Sequence, residues 1–402
     1  MASTILDVKD PIVQDEDIIS KQFHTYTPYT TSYNNNDEVR IVIQSQDLIV
    51  LPSESYLMVE YSTRRNDDLP FANNEAMSIY NCLAHLFSEL RYELNGVEID
   101  RCKLPGITST LKCMIACKEE DGKAYHLFNQ YANRAIIVET NRVLLPLRFL
   151  FGFADDFRRI ILNSKHELIL VRSRSNVNFY QAATDILRLN VTKIHWKIPH
   201  VVLSDRAKLG MLKVLSNNES LQLPFRSWDL YELPVVPQTT RHTWSVKTTS
   251  QVCKPRYVIV CFQTNRNNVI TNDASRFDHC NITNMRLYLN NERYPYDDMN
   301  LNFTATHCHE LYHMFSNIQY QYYSNTTPYN PLGIDLAGFM IRPVFAFDCS
   351  RSDESVKGGM VDVRIEIEAS ENIPNNTSAY CLIIHDNLVQ YSPFTGLVHR
   401  II

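Results

Sequence analysis

A chain of 402 residues, 45% hydrophobic and 21% charged, is a globular protein long enough for two domains of about 200 residues each. Its formal net charge of -5 gives no electrostatic footprint for wrapping nucleic acid, and the local pairs Arg64-Arg65, Arg158-Arg159 and Arg172 with Arg174 read as strand-edge or interface charges. Only 10 glycines occur and no GxGxxG, GxxxxGK[ST] or GxSxG is present, which argues against nucleotide-binding and hydrolase-elbow folds.

Residues 1 to 40 read as an N-terminal arm. The opening MASTILDVKDPIVQDEDIIS carries acidic residues where a secretory signal has a basic region, and no later segment approaches 18 uninterrupted apolar residues. Neither a signal peptide nor a membrane span is expected. QFHTYTPYTTSYNNN is polar and Tyr-rich with no face to bury, so it either stays mobile or orders against a neighbouring surface.

From Glu38 the pattern alternates. EVRIVIQSQDLIVLPSESYLMVEYSTRR predicts strand, turn, strand, and Asn95-Gly96 within ELRYELNGVEIDR is a strong hairpin signal. LPGITSTLKCMIACKEEDGK begins with a Pro-Gly turn and continues at helical spacing for about three turns. LPLRFLFGFADDFRR (145 to 159) reads as a buried apolar segment, HELILVRSRSN (166 to 176) as a strand, DILRLNVTKIHWKIPHVVL (185 to 203) as a strand pair, and AKLGMLKVLSNN as a short helix. Two prolines and a polar run in ELPVVPQTTRHTW (232 to 244) suggest the domain boundary, giving a first domain over 41–235 and a second over 236–402.

The second half continues in the same style, with PRYVIVCFQT (255 to 264) as a fully buried strand and NMRLYLNNERYP (284 to 295) as an alternating strand with an Asn-Asn turn. Next comes HELYH, residues 309 to 313. On a helix, His309 and His313 share a face and could bind Zn²⁺ while Glu310 acts as general base. A third ligand is not found: Ser316 and Gln319 stand where the extended motif has Gly and His, and no Glu follows Glu310 until Glu354. Leu311, Met314, Phe315, Ile318 and Tyr322 also recur at helical spacing, so the same residues make the apolar stripe of a structural helix. That reading is preferred, with Cys308 the one thiol to watch beside the histidines. GFMIRPVFAF, MVDVRIEIEA and AYCLIIHDNLVQYS close the chain as three more strands. Ten cysteines without a Cys-x-x-Cys match a reducing compartment, where most Cys are small buried hydrophobes; Cys113 and Cys117, four apart, fit packing better than metal binding.

Frequent strands in both halves and few helices give an all-β chain of two tandem sandwiches. LPLRFLFGFADDFRRIILNSKHELILVRS, PRYVIVCFQTNRNN, RLYLNNERYPYDDMNLNF and VFAFDCSRSDESVKGGMVDVRIEIEASENIPNNTSAYCLIIHDNLVQYSP, in this order, resemble the double jelly-roll major capsid proteins of Polinton or Maverick-type elements and adintovirus-like DNA viruses. The resemblance covers roughly residues 40 to 402. It implies a double jelly roll, homotrimeric capsomers of pseudo-sixfold outline, and an icosahedral shell around double-stranded DNA. Expected partners are further copies of the chain, neighbouring capsomers, and penton or minor capsid proteins, with packaged DNA touched at most weakly at the inner surface. The expected location is the virion capsid, after synthesis in the host cytosol. The resemblance transfers no catalytic, cofactor-binding or metal residues, and no cofactor or enzymatic activity is assigned. A zinc-dependent hydrolase at His309, Glu310 and His313 and a jelly-roll glycan-binding module are the competing readings.

Overall fold

The computed structural model describes residues 17–44, 49–68, 75–117, 140–216, 220–246, 255–322, 334–351 and 361–401. Alternation of apolar and polar residues dictates its strands: along EVRIVI (38–43), Val39, Ile41 and Ile43 turn inward while Glu38 and Arg40 face solvent. The first half contains β1 (Ile18–Tyr26), β2 (Glu38–Ile43), β3 (Ile49–Val50), β4 (Tyr56–Arg65), β5 (Ala76–Ser78), β6 (Phe87–Leu94), β7 (Val97–Lys103), β8 (Thr140–Pro146), β9 (Ile161–Leu162), β10 (His166–Arg172), β11 (Tyr180–Ala182) and β12 (Leu187–Leu203). One sheet runs β8-β4-β12-β3-β9 with β1 added along β12; the other runs β2-β10-β6-β7; β5 and β11 form a short ribbon. Asn95 and Gly96 join β6 to β7 with φ of 49° and 80°, the two left-handed positions such a turn requires.

The second half contains β13 (Leu221–Leu233), β14 (Arg241–Val246), β15 (Pro255–Thr264), β16 (Ile282–Leu289), β17 (Glu292–Tyr294), β18 (Phe345–Asp348), β19 (Val363–Ala369), β20 (Thr377–Tyr391) and β21 (Val398–Arg400). They form the sheets β13-β20-β15-β18, with β21 on β20, and β14-β19-β16-β17. Each half is thus a two-sheet antiparallel sandwich, and the chain is all-β in class. Five helices lie in the connections of the described residues: α1 (Pro105–Ala116), α2 (Gly152–Asp156), α3 (Asp205–Ser216), α4 (His309–Tyr322) and α5 (Leu336–Ile341).

Three local expectations are corrected. The segment 185–203 holds one long strand, Leu187–Leu203, instead of two; it absorbs an irregularity between Val191 and Lys193. Pro199 does not break it: its carbonyl accepts the N–H of Leu51 at 3.1 Å on the side where β4 pairs only as far as Lys197 and β3 only at His200, so a missing N–H is tolerated there, while β1 pairs along the opposite edge. GFMI belongs to α5, not to the strand that begins at Phe345, since Asp335 caps the helix by accepting the N–H of Gly338 at 2.7 Å. The polar segment near 232–244 links strands of one half: β13 before it pairs with β20 from Leu221↔Tyr391 through Leu233↔Ala379.

Within the N-terminal arm, Ile18–Tyr26 form an edge strand, paired with β12 from Ile18↔Leu203 to Tyr26↔Trp196 and mostly exposed. The expected Cys-to-core assignment holds for the nine described thiols, none in a disulfide and, apart from the half-buried Cys82, all buried.

Candidate functional site

The HELYH residues open α4. Leu311, Phe315, Ile318 and Tyr322 are buried along one side, while His309, Glu310 and His313 are exposed on the other. Asn317 Nδ2 lies 3.1 Å from His313 Nε2, one turn on. Cys308 is turned into the protein, where burial pushes its thiol pKa up. No group of three or more His, Cys, Asp or Glu among the described residues is placed to hold a metal ion. The fold brings the two histidines onto one face, and among the described residues no third ligand stands beside them.

The buried side of α4 has a different task. Gln319 Nε2 donates to the carbonyl of Met114 on α1 at 2.7 Å, and the carbonyl of Tyr322 accepts from Arg226 Nη1 at 2.6 Å. The Arg226 guanidinium also lies 3.6 Å from the centroid of the Tyr322 ring, which packs edge-on against Trp228. The helix therefore braces α1 of the first half against β13 of the second.

Around this brace one half-buried ion pair crosses between the halves, beside buried charges that belong to the first half. Asp156 at the end of α2 accepts from Arg226 through the backbone N–H (2.9 Å), Nε (2.8 Å) and Nη2 (2.5 Å). Burial alone would raise the Asp156 pKa; the hydrogen bonds and charge of Arg226 outweigh it and hold the carboxyl below its usual value. Lys112, 2% exposed, donates Nζ to the carbonyls of Arg148 (2.5 Å) and Phe151 (2.9 Å) and lies 3.4 Å from Asp155 Oδ2. Asp100 accepts the N–H groups of Arg101 and Phe153, both at 2.9 Å; burial lifts its carboxyl to about 7 against those bonds and the charge of Lys112. A Cβ at Gly152 would stand 1.7 Å from the carbonyl oxygen of Arg226, so glycine is what allows α2 to sit against β13. Such buried ionic contacts fix relative placement more than they add stability.

Sequence reasoning missed this junction. The available signals were a lone lysine inside the apolar ITSTLKCMIA and the adjacent carboxylates of FGFADDF. Both are polar groups where the pattern demands apolar ones, and such groups persist only when partners satisfy them.

At the outer surface, apolar side chains gather where β1 begins, β12 ends and α3 follows: Ile18, Ile19, Val202, Leu209 and Leu212 are all at least 41% exposed. Phe394, Leu397 and Ile401 are exposed near β21. Contiguous exposed apolar side chains mark contact surfaces in soluble proteins.

A family model for the double jelly roll-like domain matches residues 77–389. No curated protein matches the sequence. Among solved structures, the chain is similar to PBCV-1 VP54, a crystal structure fitted into a reconstruction of the virophage Sputnik, with TM-score 0.63, 10% identity, and 98% of this chain and 99% of that one covered. A cryo-EM structure of the Sputnik virophage gives TM-score 0.63, 11% identity, and coverage of 99% and 91%. The mavirus major capsid protein gives TM-score 0.54, 11% identity, and coverage of 98% and 93%. At these identities the likeness is one of fold, and it extends over both sandwiches at once.

Proposed function

The chain belongs to the double jelly roll-like domain family, and from that membership we propose that it is a viral major capsid protein, carried by an active virus or by an integrated element. Three copies form a capsomer of pseudo-sixfold outline, each contributing two sandwiches to the ring, and capsomers tile an icosahedral shell around double-stranded DNA. The virion capsid is its place of action, with penton or minor capsid proteins as further partners and DNA touched at most weakly. Its origin is a Polinton or Maverick-type element or an adintovirus-like virus. The observation that carries this reading is the end-to-end match of both halves together to viral capsid structures. The pairing of β13 with β20 supports drawing the line between the two jelly rolls in the stretch from Ser216 to Leu221, with the arm ahead of Glu38.

The rigid junction suits this role, because two sandwiches held at a fixed angle present reproducible edges to neighbouring copies. Light-scattering mass of the purified protein across concentration and salt tests the proposal. The expected species has three times the 46.7 kDa chain mass, or assembles further into particles; a monomer under every condition overturns it.

A further inference from the structure

Where β8, β4 and β12 lie side by side, the face of their sheet turned away from the core is basic. Alternation sends Leu57, Val59, Tyr61 and Thr63 of β4 inward, so Glu60, Ser62 and Arg64 stand on the other face. The register then fixes their neighbours. Arg142 of β8 and Lys193 of β12 lie opposite Glu60, Arg188 of β12 lies opposite Arg64, and Lys197 lies opposite Tyr56. His195, between the two lysines on the same face, has its pKa lowered by burial first and then by Lys193 and Lys197, as their charges lie close to its ring.

Five cationic side chains thus meet a single carboxylate. Glu60 takes up two of them, accepting from Arg142 Nη2 at 2.9 Å and from Lys193 Nζ at 3.1 Å. Arg64 and Arg188 are both exposed, and among the described residues neither has a carboxylate at ion-pair distance. The acids near them are engaged elsewhere: Asp67 and Glu75 pair with Arg65, and Asp185 accepts from the Tyr180 hydroxyl. Arg188 Nη2 donates only to the carbonyl of Asn66, at 2.9 Å. Like charges directly opposite on a sheet repel and destabilise it, so an anion lying over both arginines would be held by both. The outer face of β14, β19 and β16 in the second half is different, because there Arg241 and Arg286 reach Glu368 and Arg364 reaches Glu366.

We propose that the basic face of β8, β4 and β12 binds the phosphate backbone of double-stranded DNA. This rests on the capsid reading for its ligand and names the surface that meets the packaged molecule. From Arg188 to Lys197 the row of cations on β12 runs about 30 Å at roughly 3.3 Å per residue. That length passes about nine phosphates of one DNA strand at about 3.4 Å each. A broad sheet does not enter a groove as a helix or a two-stranded ribbon does, so the contacts are to phosphate and carry no base sequence. Few phosphates are neutralised, which makes the binding weak and dependent on salt.

The test is fluorescence anisotropy of a labelled duplex of about 20 base pairs, roughly two helical turns, titrated with the full chain between about 50 and about 200 mM salt. Binding is expected to fall as salt rises and to be equal for two unrelated sequences. Arg64→Ala with Arg188→Ala is expected to weaken it about tenfold and to lower the slope of log affinity against log salt by about 2, one for each lost contact. Glu60→Gln, which frees Arg142 and Lys193, is expected to tighten it about threefold, while Arg241→Ala with Arg364→Ala is expected to change it less than about twofold. No salt-dependent binding by the natural chain, equal weakening by the two arginine pairs, or binding of heparin without the duplex overturns the proposal. Should the variant lacking Arg64 and Arg188 not fold, Glu60→Gln decides, and an affinity unchanged or lowered overturns it. Light scattering reads assembly separately: trimers that bind no duplex overturn this face and leave the capsid reading standing, and a monomer that binds it does the reverse.

Discussion

Asp100 shows how one buried carboxyl couples the junction to pH. Burial raises its folded value to about 7, above the value of roughly 3.9 in an unfolded chain. Its protonated form therefore contributes stability that is complete below about pH 4 and is lost as pH rises through 7. Asp156 has the opposite sign, since Arg226 holds its pKa down: that contribution is present above about pH 4 and is lost as the solution is acidified further. In Asp100→Asn, the fall of the urea midpoint from about pH 5 to about pH 8 is expected to shrink; an undiminished fall would assign the titration to another group. Neither carboxyl announced its environment in the sequence, because burial between two sandwiches is a property of residues more than 50 positions apart. The turns were more legible. Among the described residues, ten of the 14 non-glycine residues with positive φ are asparagines, so the Asn-rich composition supplies left-handed positions that a glycine-poor chain must fill another way.

At the scale of elements, α4 separates an exposed motif from a buried function. Substituting alanine for His309 or His313 is expected to change unfolding free energy by no more than about 0.5 kcal/mol, as for exposed positions generally. Phe315→Ala, which empties a site that is 1% exposed against Phe339, is expected to cost about 3–5 kcal/mol. Denaturant titrations of the three variants check this, and a zinc-induced rise in stability that the histidine variants abolish would restore the metal-site reading. The apolar stripe that defines α4 was readable at 3.6-residue spacing, as were the alternating strands. What a 2-residue or 3.6-residue period does not carry is the partner on the far side: Gln319 reaches α1 across 205 positions. Nor does the sequence show that Pro199 lies where the pairing of β12 with β4 has already ended, at Lys197, so that the strand runs on through it.

For the whole molecule, two sandwiches and their connecting style were visible in the sequence, while the surface that joins them was not, since it is built from residues that look anomalous singly and consistent only together. The arm adds a reversible element at the outside. His24 stacks on His200 at 3.8 Å, and Tyr26 Oη lies 2.9 Å from His200 Nε2, tying β1 to β12. Burial, then the neighbouring His24, lowers the His200 pKa, so the neutral ring is favoured when β1 is docked. This contribution is present above about pH 6.5 and weakens as pH falls through the folded value. Hydrogen exchange of residues 18–26 is expected to quicken between about pH 7 and about pH 5 relative to the strands of the core, and in His200→Asn that pH response should flatten. The hairpin at Asn95-Gly96 has a slower consequence. Asn95 Nδ2 donates to the carbonyl of Gly396 and its Oδ1 accepts from the N–H of Lys165, each at 2.7 Å, so both ends of the amide are tethered, one of them to the other half. It is the one asparagine in the chain followed by glycine, the sequence in which the next backbone nitrogen most readily attacks the side-chain carbonyl to expel ammonia. While the halves stay together both tethers restrain that cyclisation; whenever they part the Gly396 tether is lost and the restraint loosens. Isoaspartate at position 95, read by peptide mass spectrometry, would then accumulate as a chemical record of how long each copy has spent open.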